Sequence, residues 1–263
     1  MFLEHFGMTY HPFGERPAQD RIFRDDRMER ALARLDYLAD EGTIALVTGA
    51  TGVGKSTLLR LFIHSLSRNR YRPAYIHLTP IRPTSMLRLI VTVLGEKPRM
   101  GKDRLFLQIL DKAAKDDKTI VLVVDEAHLL PPEALTDIRL IVSSALDADA
   151  PMKIVLSGQE SLRRLLTPAS HADLLQRISV RCHLSPFTAE QTVSYIDFRL
   201  RSAGASDKLF DPEAKRLLHD FAGGVARLVD NLAAACLVNA ASKGLKTIAE
   251  PLVNDTIGEF QLP

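Results

Sequence analysis

Cysteine and net charge are both scarce in this 263-residue chain. Its two cysteines, Cys182 and Cys236, lie far apart and form no C-x-x-C pair, so the sequence predicts neither a zinc site nor a secreted disulfide framework. The formal net charge is only +2. Any nucleic-acid site must therefore be a local basic patch, because the chain as a whole carries no strong positive field.

Long apolar runs are also missing. No uncharged apolar stretch reaches the roughly 18 residues that a membrane span needs. The first residues lack the basic-then-apolar layout of a signal peptide. Together these absences predict a cytoplasmic protein. The 46% hydrophobic and 25% charged residues are ordinary for a globular chain, and the length fits one large α/β domain or a core with a small second domain.

The most specific motif is a phosphate-binding loop of the form G-x-x-x-x-G-K-[ST] at residues 49–56. Its glycines let the backbone curl so that the N–H groups face inward and form an anion nest. Lys55 would reach the β- and γ-phosphates of a nucleotide, and the Ser56 hydroxyl would bind Mg²⁺. An apolar strand over residues 43–48 and a helix from Ser56 flank the loop. The predicted nucleotide-binding residues of this segment are Gly49, Ala50, Thr51, Gly52, Val53, Gly54, Lys55, Ser56 and Thr57.

A second motif ends the apolar run at residues 119–126. The run is rich in β-branched residues, which is typical of a central parallel strand covered on both faces. Two acids, Asp125 and Glu126, follow at the carboxyl end, where open α/β sheets bind ligands. Asp125 would hold Mg²⁺, and Glu126 would act as the general base that activates water. The two motifs together predict Mg²⁺-dependent hydrolysis of ATP.

Strands and helices alternate up to about residue 186, after which only helical patterns follow. The predicted fold class is α/β, a P-loop NTPase with a doubly wound parallel sheet, followed by a small all-helical lid. The predicted organisation is an N-terminal arm with a first helix over residues 1–42, a core over residues 43–186 and a lid over residues 187–263. Predicted strands cover residues 43–48, 74–78, 119–126, 152–158 and 180–184. Predicted helices cover residues 27–38, 56–63, 83–95, 105–115, 131–145, 174–178, 189–203, 212–221, 227–242 and 250–260.

The combination of these motifs resembles the AAA+ ATPases. It comprises the phosphate-binding loop, a Val-Val-Asp-Glu strand end, a Ser-Gly-Gln strand end and the helical stretch Gly-Gly-Val-Ala-Arg. Three further stretches resemble the ExeA type: FGMTYHPFGERP, DEAHLLPPEALTDIRLI and IVLSGQESLRRLL. The transposition ATPases TnsC, TniB and IstB share the same core plan.

The resemblance implies roles for further residues. Gln159 matches the sensor 1 position, which aligns the attacking water with the γ-phosphate, and Arg227 matches the sensor 2 arginine of the lid. Arg177 matches the arginine finger that acts on the nucleotide of a neighbouring copy, with Arg181 as the alternative. Phe23 lies where the family places the adenine. A finger that acts in trans requires a homo-oligomer, either a ring or a helical filament.

Two basic stretches offer contacts to nucleic acid. Lys97, Arg99, Lys102 and Arg104 form the predicted DNA-binding set, and Arg68, Arg70 and Arg72 lie in a second basic connector. Several copies in a ring would present these side chains to phosphates, so binding to double-stranded DNA would depend strongly on salt. No groove-entering motif is visible, so little readout of bases is expected.

The predicted function is an ATP-dependent regulator of transposition that assembles on DNA and recruits or activates a transposase. Secretion proteins of the ExeA type continue into a membrane span and a peptidoglycan-binding module, which this sequence does not show, so the expectation favours the transposition helper. The alternatives are a secretion-type, protein-remodelling ATPase and an ATP-dependent interaction switch with slow hydrolysis. Residues 125–128 also spell a DEAH helicase box, but helicases need two RecA-like domains and this chain has room for one and a lid.

Overall fold

The computed structural model describes residues 2–14, 17–144 and 152–260. The chain divides into two compact units. The sheet unit comprises Arg27–Gly49 and Lys55–Leu184, and the helical unit comprises Met1–Asp26, Ala50–Gly54 and Ser185–Pro263. Across the described ranges, no helix is both long and apolar enough to cross a membrane. The three-part division expected from the sequence stays a prediction.

The sheet unit is built on five parallel strands in the order β2-β3-β4-β1-β5. This arrangement confirms the predicted α/β fold with a doubly wound parallel sheet. Because β1 lies between β4 and β5, the loop that follows β1 leaves the sheet from an interior position. The strands are Ile44–Thr48 (β1), Tyr71–His77 (β2), Thr119–Asp125 (β3), Met152–Gly158 (β4) and Ile178–His183 (β5).

Burial along each strand follows its place in the sheet. Every residue of β1 is buried, and so are the last six residues of β3, because helices cover both faces of these central strands. The edge strands β2 and β5 instead alternate between buried and exposed residues. β2 begins at Tyr71, three residues earlier than predicted, and so includes Pro73. Proline is tolerated there because an edge strand leaves one side of its backbone unpaired.

The described residues form twelve α-helices. In the sheet unit, the buried face of α2 carries Met28, Leu32, Leu35 and Leu38, as the sequence periodicity predicts. The bounds are Phe2–His5 (α1), Asp26–Asp40 (α2), Lys55–Ser65 (α3), Pro83–Val93 (α4), Lys102–Lys115 (α5), Pro132–Ser143 (α6), Ser161–Leu166 (α7), Ala172–Arg177 (α8), Ala189–Ser202 (α9), Pro212–Ala222 (α10), Ala226–Ser242 (α11) and Glu250–Phe260 (α12).

α1, α5 and α7 differ most from the sequence predictions, and α1 was not predicted at all. α5 begins at Lys102 instead of residue 105, so Lys102 and Arg104 belong to its first turn and not to a loop. α7 was not predicted, because six residues are too few to show helical periodicity. The predicted end of α6 near Ala145 lies outside the described residues.

Capping residues set the ends of the helices in the helical unit. Thr188 and Gln191 form a reciprocal capping box at the start of α9. The Asp211 carboxylate accepts a hydrogen bond from the Ala214 N–H, 2.6 Å away, at the start of α10. The N-terminal arm is part of this unit, since Met8 and Phe13 are buried in the same apolar cluster as α9 to α12.

A buried polar network joins the N-terminal arm to α9 and α11 within the helical unit. The Arg199 guanidinium donates to the Pro12 carbonyl, to the Gly14 carbonyl at 2.9 Å and to the Tyr195 hydroxyl at 2.8 Å. Tyr195 in turn donates to the Asp230 carboxylate at 2.7 Å. Burial raises the pKa of Asp230 to about 6, against the opposing influence of the Arg199 charge and the Tyr195 hydrogen bond.

The raised pKa of Asp230 predicts a pH-dependent stability. Between about pH 4 and pH 6 the folded state keeps a proton on Asp230 that the unfolded chain has lost, so the free energy of unfolding should fall as the pH rises through this window, by about 3 kcal/mol. The measurement is urea unfolding of the protein and of Asp230→Asn, which keeps the acceptor for Tyr195. The free energy of unfolding of Asp230→Asn minus that of the wild type should increase by this amount as the pH rises through the window. If the difference stayed constant across the window, the prediction would be wrong.

Candidate active site

The phosphate-binding motif forms a loop between the end of β1 at Thr48 and the start of α3 at Lys55. Gly52 and Gly54 have φ angles of 84° and 106°, which side-chain-bearing residues adopt only with strain. These glycines are therefore required by the backbone path. Such a path turns successive N–H groups toward one side, which is the arrangement that binds a phosphate.

Lys55 is buried inside its own loop. Its side chain is only 5% exposed, and its ammonium donates to the Gly49 carbonyl at 2.9 Å. A buried ammonium is stable only with hydrogen-bond acceptors around it, and an anion satisfies it better than a neutral carbonyl does. The environment of Lys55 therefore fits a phosphate ligand.

Asp125 is fully buried at the carboxyl end of β3 and is held by four donors. One carboxylate oxygen accepts from the Ser56 hydroxyl at 2.8 Å and from the Tyr75 hydroxyl at 3.1 Å. The other accepts from the Ser157 hydroxyl and from the Glu126 N–H, each at 3.0 Å. Two predicted Mg²⁺ ligands, Ser56 and Asp125, are thus in direct contact although 69 positions separate them.

This donor set fits Mg²⁺. The ion prefers hard oxygen ligands and is often held by one carboxylate, a hydroxyl, waters and the phosphates of a nucleotide. Within the described ranges, no group of three or more His, Cys, Asp or Glu side chains is arranged to hold a metal ion. Ser56 and Asp125 would therefore hold Mg²⁺ together with phosphate oxygens.

Glu126 has an unusual backbone. With φ at 58° and ψ at 32°, it is the non-glycine residue with positive φ in the described part of the chain. A left-handed conformation of this kind costs about 1 kcal/mol or more and is concentrated at functional sites. The Glu126 carboxylate lies 3.4 Å from the Nδ1 atom of His128, in the 3-10 turn Ala127–Leu129.

Gln159 directly follows β4 at the same edge of the sheet. Gly158, which precedes Gln159, pairs in register with Thr48, which precedes the phosphate-binding loop. The backbone N–H of Gln159 donates to His128 Nδ1 at 3.4 Å. The sheet unit therefore brings Lys55, Ser56, Asp125, Glu126 and Gln159 to one edge.

Three side chains at this edge were missed by the sequence reasoning, namely Tyr75, Ser157 and His128. Tyr75 and Ser157 lie near the carboxyl ends of β2 and β4 and contact Asp125 from the two neighbouring strands. Both residues lie within two positions of the carboxyl end of a strand, and this placement could have identified them from the sequence as part of the site. His128 was considered only as part of a helicase box.

The two candidates for the arginine finger differ in their surroundings. Arg177, the last residue of α8, is exposed, and its side chain makes no hydrogen bond or ion pair with another residue in the described ranges. Arg181 donates to the Leu175 carbonyl at 3.3 Å, and its own carbonyl accepts from Arg34 at 2.9 Å. Arg177 is therefore the more available of the two.

Arg227 lies at the start of α11 and contacts the phosphate-binding loop within the helical unit. Its backbone N–H donates to the Gly52 carbonyl at 3.2 Å. A Cβ atom at Gly52 would lie 2.9 Å from the Arg227 Cβ and 2.9 Å from a Val225 methyl group. The close approach of the two backbones thus gives Gly52 a second reason to be glycine.

Phe23 packs among aromatic side chains of the helical unit. Its ring centroid lies 6.0 Å from that of Phe187, 5.6 Å from that of Tyr195 and 5.5 Å from that of Phe198. The ring remains partly exposed. Its predicted contact with adenine stays a prediction.

The four residues of the predicted DNA-binding set do not share one environment. Lys102 forms an ion pair with the buried Asp137, with 2.8 Å between Nζ and Oδ1. The side chains of Lys97, Arg99 and Arg104 are exposed and make no ion pair with any residue in the described part. Three cationic side chains therefore remain available, two between α4 and α5 and that of Arg104 in the first turn of α5.

The second basic connector is mostly occupied by local ion pairs. Arg72 lies in β2 and pairs with Asp116 at 2.7 Å, and Arg70 pairs with Asp40 at 3.0 Å. This corrects its description as a free basic segment, because the early start of β2 draws Arg72 into the sheet. Arg68 remains exposed.

Comparisons with known proteins agree with this geometry. Residues 39–166 match the family described as AAA domain. The chain is also 30% identical over 254 residues to General secretion pathway protein A of Aeromonas hydrophila. That match covers 93% of this chain and 46% of the relative, so the chain spans less than half the length of the protein it resembles.

Solved structures with the same fold include proteins from Pyrobaculum aerophilum and Aeropyrum pernix. Cdc6p of Pyrobaculum aerophilum matches with a TM-score of 0.76 at 21% identity, covering 94% of this chain and 70% of that one. The ORC2 protein of Aeropyrum pernix matches with a TM-score of 0.73 at 16% identity, covering 95% and 71%. The ORC1 protein of the same organism, solved in complex with DNA, matches with a TM-score of 0.67 at 18% identity, covering 89% and 64%. With the sheet order, these matches establish an AAA+ P-loop NTPase fold with a C-terminal helical region.

Proposed function

We propose that this AAA-type P-loop protein binds Mg·ATP at residues 49–57, hydrolyses it to ADP and phosphate, and assembles with further copies of itself. The observation that supports this best is the convergence of Lys55, Ser56, Asp125 and Glu126 at one sheet edge, with 2.8 Å between the Ser56 hydroxyl and the Asp125 carboxylate.

Each residue of this set has a proposed task. Lys55 and the loop N–H groups bind the phosphates, and Ser56 and Asp125 hold Mg²⁺, which neutralises charge on the phosphate oxygens. Glu126 accepts a proton from the attacking water. Gln159 orients that water. Arg227 and Phe23 are proposed to contact the nucleotide.

Self-assembly is supported by Arg177. The side chain of Arg177 is exposed at the end of α8, where it is available to stabilise the transferring phosphoryl group of a neighbouring copy. Such head-to-tail contacts generate rings when the rotation closes and helical filaments when it does not.

The similarity to General secretion pathway protein A favours a secretion-type role for this ATPase. That relative matches along 93% of this chain, whereas none of the proteins named above supports the predicted recruitment of a transposase. We therefore place the secretion-type role before the transposition helper. A switch with slow hydrolysis and a cytoplasmic location also stay predictions.

Binding to double-stranded DNA is a second candidate function. It is supported by the exposed side chains of Lys97, Arg99 and Arg104 and by a fold shared with the DNA-bound ORC1 protein. Non-specific contacts of this kind go to phosphates and weaken steeply with salt.

A mixing experiment tests the ATPase and the assembly together. Arg177→Ala lacks the finger and Glu126→Gln lacks the base, so each variant alone should turn over ATP slowly. In a mixture, intact sites of Arg177→Ala receive Arg177 from Glu126→Gln neighbours, and equal amounts should recover about a quarter of the wild-type rate if subunits assemble at random. A mixture no faster than the average of its two components would refute a finger that acts in trans.

The control for this test is Arg181→Ala. It should keep wild-type turnover, because the Arg181 guanidinium is bonded to its own subunit.

A separate experiment tests the binding of DNA. Duplex DNA added at low salt should raise the turnover of ATP if DNA is a partner, and the triple exchange of Lys97, Arg99 and Arg104 to glutamate should remove that increase. An absence of any DNA effect would exclude the second candidate and leave the ATPase proposal intact.

A further inference from the structure

The imidazole of His128 contacts two residues of the proposed hydrolytic site, Glu126 and Gln159. His128 Nδ1 lies 3.4 Å from the Glu126 carboxylate and accepts from the backbone N–H of Gln159, also at 3.4 Å. The side chain is only 11% exposed. His128 therefore lies between the proposed general base and the residue after β4, and solvent competes little for its nitrogen.

Gly158, the last residue of β4, allows His128 to approach the backbone of this strand closely. A Cβ atom at Gly158 would lie 3.0 Å from the His128 backbone nitrogen and 3.3 Å from the His128 Cβ. It would also lie 3.1 Å from a methyl group of Leu162 in α7. Glycine at 158 thus permits the direct contact between the 3-10 turn and β4.

The two contacts of Nδ1 exclude each other. A neutral imidazole carries its hydrogen on one ring nitrogen, and the other nitrogen is an acceptor. With the hydrogen on Nε2, Nδ1 accepts from the Gln159 N–H and faces the Glu126 carboxylate with a lone pair. With the hydrogen on Nδ1, it donates to Glu126 and gives up Gln159. A shift at Gln159 therefore changes which hydrogen bond is available to Glu126.

We propose that His128 is a positioning residue that couples the carboxyl end of β4 to the Glu126 carboxylate. It holds the carboxylate in place when Nδ1 donates to it and releases it when Nδ1 accepts from Gln159. This inference rests on the proposed function, in which Glu126 is the general base. It adds a specific link by which events at Gln159 reach that base.

The test uses two variants of nearly the same shape. In His128→Asn the side-chain amide takes roughly the place of Nδ1 and can donate or accept a hydrogen bond, whereas in the isosteric His128→Leu it can do neither. His128→Leu should lower kcat by about 10- to 100-fold, since small displacements of a catalytic group have effects of that size. The KM and the affinity for ATP should stay within about twofold. His128→Asn should recover most of the lost rate, and His128→Phe replaces the leucine variant if that variant fails to fold.

A double-mutant cycle separates positioning from a general structural role. If His128 acts through Glu126, His128→Leu should cause little further loss in the Glu126→Gln background. An equal loss in both backgrounds, a kcat unaffected by His128→Leu, or an asparagine variant as slow as the leucine variant would each overturn the proposal. The ratio of the kcat of the wild type to that of Glu126→Gln tests the proposed function by itself. If Glu126→Gln hydrolysed ATP at the wild-type rate, the assignment of Glu126 as general base would be wrong, whatever the effect of His128→Leu.

Discussion

Replacing Lys55 with alanine is expected to raise the dissociation constant for Mg·ATP by about 100-fold or more. Removal of one partner from a desolvated pair of opposite charges typically costs 2–5 kcal/mol, and about 1.4 kcal/mol corresponds to a tenfold change in affinity. Lys55 is 5% exposed within its loop, so its contact with phosphate would be of this desolvated kind. Isothermal titration calorimetry with Mg·ATP measures the change directly.

The matched control for this measurement is Lys97→Ala. Lys97 carries the same charge but is exposed at the turn between α4 and α5, so its removal should leave the affinity for ATP within about twofold. Thermal unfolding of both variants checks that the fold is retained. A wild-type affinity in Lys55→Ala would refute the phosphate-binding role of residues 49–56 and with it the ATPase proposal.

The exchange of Glu126 for glutamine should separate binding from hydrolysis. Glutamine has nearly the same shape but no basic carboxylate, so kcat should fall by about 10²- to 10⁴-fold, the usual contribution of a general base. The affinity for ATP should persist, because Lys55, Ser56 and Asp125 are unchanged. Steady-state turnover and equilibrium binding, measured on the same preparation, give the two quantities.

Glu160 provides a control at the same edge of the sheet. It follows Gln159 and pairs with His183 at 3.0 Å, without a contact to the Asp125 group. Glu160→Gln should therefore retain near-wild-type turnover. If both glutamine variants hydrolyse ATP at similar rates, Glu126 does not have the role of base, and the assignment of the acidic pair must be revised.

The fold and the nucleotide-binding motifs were predictable because their signals are local. The phosphate-binding loop is contiguous in sequence, and the run that ends at Asp125 combines a buried strand with its terminal acids. Burial along β1 and β3 follows the same apolar runs. Each of these elements is defined by fewer than ten consecutive residues, so no knowledge of distant partners was needed.

The remainder of the site depends on strand register, which the sequence does not encode locally. The hydroxyl of Tyr75 reaches Asp125 because β2 pairs with β3, and a tyrosine in an edge strand otherwise suggests an exposed face. The free charge of Lys102 was overestimated for a similar reason, since its partner Asp137 lies on α6. Pairing across 30 or more positions is a tertiary property that charge counting alone cannot predict.

The hydrogen bond between Gly52 and Arg227 separates two properties of position 227. The donor is a main-chain N–H in the first turn of α11, which has no acceptor within its own helix, so the carbonyl of Gly52 serves as its cap. Any amino acid except proline supplies this donor. Replacing the arginine with any residue other than proline would therefore change the charge next to the phosphate-binding loop but keep the hydrogen bond to Gly52. Charge and backbone connection can thus be varied separately at position 227.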